Sequence, residues 1–181
     1  IQQLVTSEPS PGYVARVAAA FADNGQGVRG DMAAVVSAVL LDAEARSAAP
    51  SRGFGKLREP ILRVTQWLRA FEAASPSGEY RLAWELDALS QRAMRSPSVF
   101  GWFRPGYVPP GTAFAAANAT APEFQLVNET TTAVWANTAQ QLAGRGIGWN
   151  GSGADAVSAY TRLVAMARSG NAEAMVQQLN V

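Results

Sequence analysis

At 181 residues, with 48% hydrophobic and 16% charged side chains, the chain can bury one core and carries fewer charges than the usual quarter. It has no Cys and no His, which excludes zinc sites built on those ligands, cysteine nucleophiles, Ser-His-Asp triads and His-ligated haem from these residues. The 15 basic and 14 acidic groups sum to +1 and the basic ones form no runs, so neither nucleic acid nor an anionic membrane is an expected partner.

The chain opens on Ile1, Leu4 and Val5, a spacing that predicts the last turns of a helix begun upstream. Ile1-Gln2-Gln3 has neither an initiator Met nor a basic leader, and a fragment of a longer chain is expected. Ser10-Pro11 predicts a helix start, with Ser as N-cap and Pro at the first helical position. Val14, Val17, Ala18 and Phe21 would form its apolar face, and Asp23 to Gly27 would end it. Asp31 can cap a second helix whose buried stripe is Met32, Val35, Val36, Val39 and Leu40. This block, Met32 to Leu41, is about half the ~20 residues a membrane span needs, so no span is expected. Asp42 to Arg46 is read as its close or a short further turn, and Ala48 to Gly55 as a loop.

Leu57, Ile61, Val64, Leu68 and Phe71 give the clearest amphipathic pattern. Pro60 belongs in the first turn of that helix, and Glu59, kept out of the α region by the following proline, is its expected cap. Ser75 to Gly78 ends it. Leu82, Leu86, Leu89 and Ala93 mark a fourth helix. A long loop, 96–122, follows, in which Phe100, Trp102, Phe103 and Tyr107 stand among prolines and glycines. Phe124 to about Leu142 is predicted as one long helix, with Phe124, Val127, Val134, Trp135 and Leu142 on one side. Gly144 to Gly153 reads as a connector around Trp149. Val157, Tyr160, Val164 and Ala167 predict a penultimate helix. Asn171 caps a final one that turns Ala172, Met175, Val176 and Leu179 inward. No strand and no fixed-period repeat is expected. The reading is an all-α, irregular multi-helix fold, a single helical domain over residues 1–181, interrupted by the Pro/aromatic-rich loop.

Three segments together carry a resemblance. Pro11-Gly12-Tyr13-Val14-Ala15-Arg16-Val17 leads to Phe21-Ala22-Asp23-Asn24-Gly25-Gln26-Gly27-Val28-Arg29-Gly30-Asp31-Met32. Leu40-Leu41-Asp42-Ala43-Glu44-Ala45-Arg46 leads to Phe54-Gly55-Lys56-Leu57-Arg58-Glu59-Pro60. The stretch from Ser96 to Thr130 is the third. The chain resembles the C-terminal part of the bacterial domain-of-unknown-function family 1800. The resemblance implies a longer, mostly helical parent protein, exported to the periplasm or secreted, and encoded beside a second secreted protein related to sulfatases. The implied partners are the missing N-terminal part of the same protein and that co-encoded secreted protein. It implies no reaction, and the family's His-containing and Glu-rich signature segments lie upstream of the matched part.

Several residue groups invite a chemical reading. Asp23, Gly25, Gly27 and Asp31 have the look of a calcium loop, but the third, fifth and twelfth positions from Asp23 are Gly25, Gly27 and Ala34, which offer no side-chain oxygen. A turn followed by an Asp N-cap is expected there. Gly25-Gln26-Gly27 and Gly144 to Gly148 follow no strand and are not dinucleotide fingerprints. Glu59 and Glu129 are weak candidates for general acid or base work. With Arg58 and Asn128 they are expected instead to form a structural network clamping the loop. Phe100, Trp102, Phe103, Tyr107 and Arg104 are the binding candidates, through stacking and a cation–π contact; as anchors pinning a stiff strap they would bind nothing. No metal and no cofactor is expected.

Two functions follow as expectations. The first is a non-enzymatic helical scaffold or interaction module. The alternative is part of an extracellular enzyme acting on a polymer such as polysaccharide, its remaining site residues lying upstream. No catalytic constellation is visible within the chain, so whether the parent is an enzyme stays open.

Overall fold

The computed structural model describes residues 1–47, 53–149, 151 and 153–179. Part of the loop expected from Ala48 lies outside the described residues. The helices are α1 (Pro11–Ala22), α2 (Met32–Leu41), α3 (Pro60–Ala70), α4 (Ala83–Ala88), α5 (Ala113–Ala116), α6 (Glu129–Ala143), α7 (Thr161–Arg168) and α8 (Ala172–Leu179), with a 3₁₀ helix at Pro122–Leu126. Among the described residues β structure is limited to isolated bridges, and the all-α class holds. The chain forms two compact units, each built from two separated stretches. Unit 1 is Ile1–Arg58 with Ser98–Gln125, and unit 2 is Glu59–Pro97 with Leu126–Val181.

In unit 1, α1 begins where the capping chemistry dictates. Ser10 is extended, Pro11 takes the first helical position, and the Ser10 Oγ accepts from the Tyr13 N–H at 3.1 Å. Beyond α1 the Asp23 carboxylate accepts from the N–H groups of Gly25 and Gly27 at 2.8 and 2.9 Å. Asp31 then caps α2 by accepting from Ala33 and Ala34. Asn24 donates to the other Asp31 oxygen at 2.8 Å, which with the helix N–H groups holds that carboxyl below its usual range. Both carboxylates of the calcium-like motif are thereby occupied in closing a turn.

The apolar faces expected on α1 and α2 are not its core. Val14 and Phe21 are exposed, as are Met32 at 59%, Val36 at 45% and Leu40 at 44%. The two helices pack on each other through Tyr13 and Val39, and the Tyr13 hydroxyl donates to the Val39 carbonyl. Arg16 adds a two-pronged contact to Asp42, Nε to Oδ2 at 2.6 Å and Nη2 to Oδ1 at 2.7 Å. The opening residues form one turn, closed by Val5 N–H to Ile1 O at 2.9 Å.

Unit 2 is organised by an apolar cluster of Val64, Leu68, Leu82, Leu86, Leu89, Leu142, Ile147 and Ala156. Each fully buried aliphatic side chain of this kind contributes about 1.5–3 kcal/mol. α3 supplies Val64 and Leu68 from the predicted stripe, while Leu57 lies before the helix and is partly exposed. α4 is only six residues, and Leu82 and Leu89 reach the core from its two caps rather than from within it.

The long helix expected from Phe124 starts instead at Glu129. Asn128 is extended, its Oδ1 accepts from the Thr131 N–H at 2.9 Å, and Thr131 Oγ1 accepts from the Asn128 N–H at 3.0 Å. This reciprocal cap fixes the start of α6 and leaves Pro122–Leu126 as a separate 3₁₀ turn. After α6 the chain doubles back through an Ile147–Ala156 bridge. Gly148 has φ +75°, and a Cβ there would stand 2.9 Å from the Arg81 carbonyl, so glycine is required twice over.

Val157, expected in the penultimate helix, instead pairs with Ala74. Tyr160 begins α7 in the left-handed region at φ 54°, held by its hydroxyl bonds to Leu142 and Ala143 carbonyls. Asn171 caps α8 through the Ala174 N–H at 3.0 Å, but Val176 and Leu179 are half exposed rather than turned inward.

Candidate functional site

The two carboxylates first singled out stand in different surroundings. Glu59 precedes α3 without capping it through its side chain. It accepts instead from the Gln91 amide, whose Oε1 takes the Ile61 N–H at 2.9 Å. Gln91 is fully buried, so this pairing meets the hydrogen-bonding need of an amide inside the core. Asn128 is committed to the α6 cap, and Glu129 stands exposed at the first position of that helix, where its charge suits the helix dipole. Arg58 is exposed at the end of the first stretch of unit 1.

The aromatic loop lies in unit 1 and divides by exposure. Phe103 is 2% exposed, with the Lys56 ammonium 5.4 Å above its ring. Trp102 and Tyr107 are half buried, and Phe100 and Arg104 are exposed. The cation beside a loop ring is thus Lys56. Arg104 contributes its backbone carbonyl, which accepts from the Gln125 amide at 3.2 Å. The loop is tied down by polar bonds to the N-terminal turn. The Gln2 Oε1 accepts from the Gly106 N–H at 3.0 Å, its Nε2 donates to Thr120, and the Ala121 N–H donates to the Tyr107 carbonyl at 2.7 Å.

The most site-like geometry in unit 1 centres on Glu123, a residue the sequence reading passed over. Pro122 and Phe124 flank it in the 3₁₀ turn, and its side chain is 2% exposed. One oxygen, Oε1, accepts from the Ser7 hydroxyl at 2.5 Å and from the Leu57 N–H at 2.9 Å. The other, Oε2, is buried and has no hydrogen-bond partner among the described residues. Glu123 lines an open recess of about 930 Å³ with Ser7, Glu8, Gly53 to Leu57, Ala113, Phe114, Ala117, Ala119, Thr120 and Phe124. The Phe114 and Phe124 rings, 5.1 Å apart and tilted by 55°, form part of its wall.

Three segments far apart in sequence make this recess. Thr6 and Gly55 exchange bonds, Thr6 Oγ1 donating to the Gly55 carbonyl and accepting from its N–H. Thr120 Oγ1 and N–H are both paired with the Glu8 carboxylate. Glu123, set between Pro122 and Phe124, is the only Asp or Glu between Asp87 and Glu129, and that isolation was the sequence signal that could have pointed here.

Unit 2 holds two further buried side-chain atoms without a partner among the described residues, Arg63 Nε and Glu85 Oε2. Arg63 lies 4.3 Å from the Trp135 ring, and burial lowers its pKa. Glu85 uses its Oε1 to hold the Gly148 N–H at 2.9 Å. Among the described residues no three His, Cys, Asp or Glu side chains gather as a metal site, and no helix is long and apolar enough to cross a membrane.

A family model described as a protein of unknown function, DUF1800, matches residues 1–180. Comparison with curated proteins and with solved structures returns no match.

Proposed function

The chain belongs to the DUF1800 family, which brings it no reaction, and on that premise we propose that it works as a helical interaction module of an exported bacterial protein. The observation that carries this reading is the apolar surface of α1 and α2. Met32, Val36, Leu40 and Leu41 are exposed at 44 to 66%, although the helix that bears them is almost wholly apolar. A row of this kind on a charge-poor chain favours a protein partner over water. The partner in this reading is the remaining part of a longer parent protein, the expectation that the sequence resemblance raised. Glu59 and Glu129 lend the polymer-acting alternative less support, since the first is bonded to Gln91 and the second stands exposed at a helix start.

The test is capture of the separately expressed upstream part of the parent by this chain. Replacing Met32 and Val36 together with Glu should abolish capture and leave the helical circular dichroism unchanged. Capture that survives the double substitution, or that never occurs with the native chain, would remove the reading.

A further inference from the structure

We propose that the unit 1 recess is a binding site for a small organic ammonium ion carried on an apolar body, recognised by Glu123. This site does not depend on the interaction-module reading. Its first support is the carboxylate itself. Ser7 and Leu57 both donate to Oε1, which fixes the group in place, while Oε2 is buried without a donor in a residue that lines an open recess. A buried acceptor without a partner is costly, and a charged N–H donor is the partner that relieves it best.

The second support is the character of the walls. Leu57, Phe114, Phe124 and Ala117 offer apolar area to an aliphatic or aromatic stem. The third is charge. Among the described lining residues Glu8 and Glu123 face the recess with one cation, Lys56, whose ammonium donates to the Gln3 carbonyl and covers Phe103. A cationic ligand therefore meets the local field, and an anionic one opposes it. At about 930 Å³ the space is of the size that takes small-molecule ligands.

The test is a calorimetric titration of the whole chain with phenethylammonium, with phenethyl alcohol as its uncharged counterpart. The ammonium should bind saturably and the alcohol at least tenfold more weakly. Glu123→Gln keeps an oxygen for Ser7 and Leu57 but presents an N–H₂ where the acceptor stood, and should weaken ammonium binding at least tenfold. Ala117→Met narrows the recess without touching Glu123, and should do the same even where the first variant folds poorly. Nα-acetyl-lysine methylamide, run in parallel, separates a free amine from a lysine side chain as the natural source; saturable binding of either supports the site. Equal binding of the ammonium and the alcohol, unchanged binding in a folded Glu123→Gln variant, or no saturable binding to the native chain would overturn it. Capture of the upstream part of the parent protein is read separately and should be unaffected by Ala117→Met.

Discussion

The two units hold themselves together by different means. Unit 2 is closed from within by eight buried apolar residues contributed by α3, α4, α6 and the bridge that follows. Unit 1 buries few large apolar side chains, chiefly Tyr13, Val39 and Phe103, and is fastened by buried or half-buried polar bonds. Ser7 and Leu57 are bonded to Glu123, Ser10 to Glu44, Gln2 to Thr120, and Tyr13 to Val39. The difference is instructive because the sequence of unit 1 is not short of apolar residues. They stand on surfaces and around a recess instead of filling a core, an arrangement that suits binding better than self-sufficiency.

This contrast can be broken by substitution, beginning where the effect is largest. Leu142 is 1% exposed at the centre of the unit 2 cluster, and Leu142→Ala should cost about 2–5 kcal/mol in denaturant unfolding. A smaller loss would mean that the cluster is less essential than its burial suggests. Ser7→Ala removes one of two donors to a buried carboxylate, and should destabilise unit 1 by about 1–3 kcal/mol, seen as lost hydrogen-exchange protection around Leu57. An unchanged pattern there would place the stability of unit 1 in its apolar contacts after all.

Acid should act next. Arg16 hydrogen bonds draw the Asp42 carboxyl down from 3.8 to about 2. A carboxyl held lower in the folded chain adds stability that is complete above its unfolded value and is lost as pH falls toward the folded one. The α1–α2 pairing should therefore weaken between about pH 4 and pH 2, and Asp42→Asn should remove that part of the acid response in a pH-dependent melt. Last comes Val36→Ser, which touches an apolar but exposed position. It should shift stability by no more than about 0.5 kcal/mol, and a cost of several times that would show the α2 face to be covered within the chain itself.

Local chemistry made much of the fold legible. Ser10-Pro11, Asp31 and Asn171 were readable as caps because the groups they satisfy lie within three residues of them. The α3 stripe was readable because Val64 and Leu68 answer to a core in the period of a helix. The start of α6 was missed because Phe124 and Val127 fit the apolar pattern, whereas the Asn128 cap, a local bond, decides where the helix begins.

The α1 and α2 faces show the limit of periodicity. It reports that a helix has an apolar side, and is silent on whether anything covers it. The recess could not be assembled from neighbouring letters, since Glu123 answers to Ser7 and Leu57 through contacts set by the tertiary fold. Glu59 drew attention because its proline context is visible locally, while its partner Gln91 lies 32 positions away.

The interleaving of the two units has a consequence for how the protein is made. Ser7 must wait for Glu123 across 116 positions, and in that interval Glu59–Pro97 emerges, which belongs to the other unit. Val64 and Leu68 in turn wait for Leu142. Neither body can be finished during synthesis before most of the chain has left the ribosome, and distant closures of this sort slow folding. Nor does any single cut divide the chain into two intact halves: a break between Arg58 and Ser98 severs the first unit, and one after Gln125 strips the second of α6 to α8. Each unit is an obligate assembly of two pieces of one translation product, and the protein must be folded and turned over as a whole.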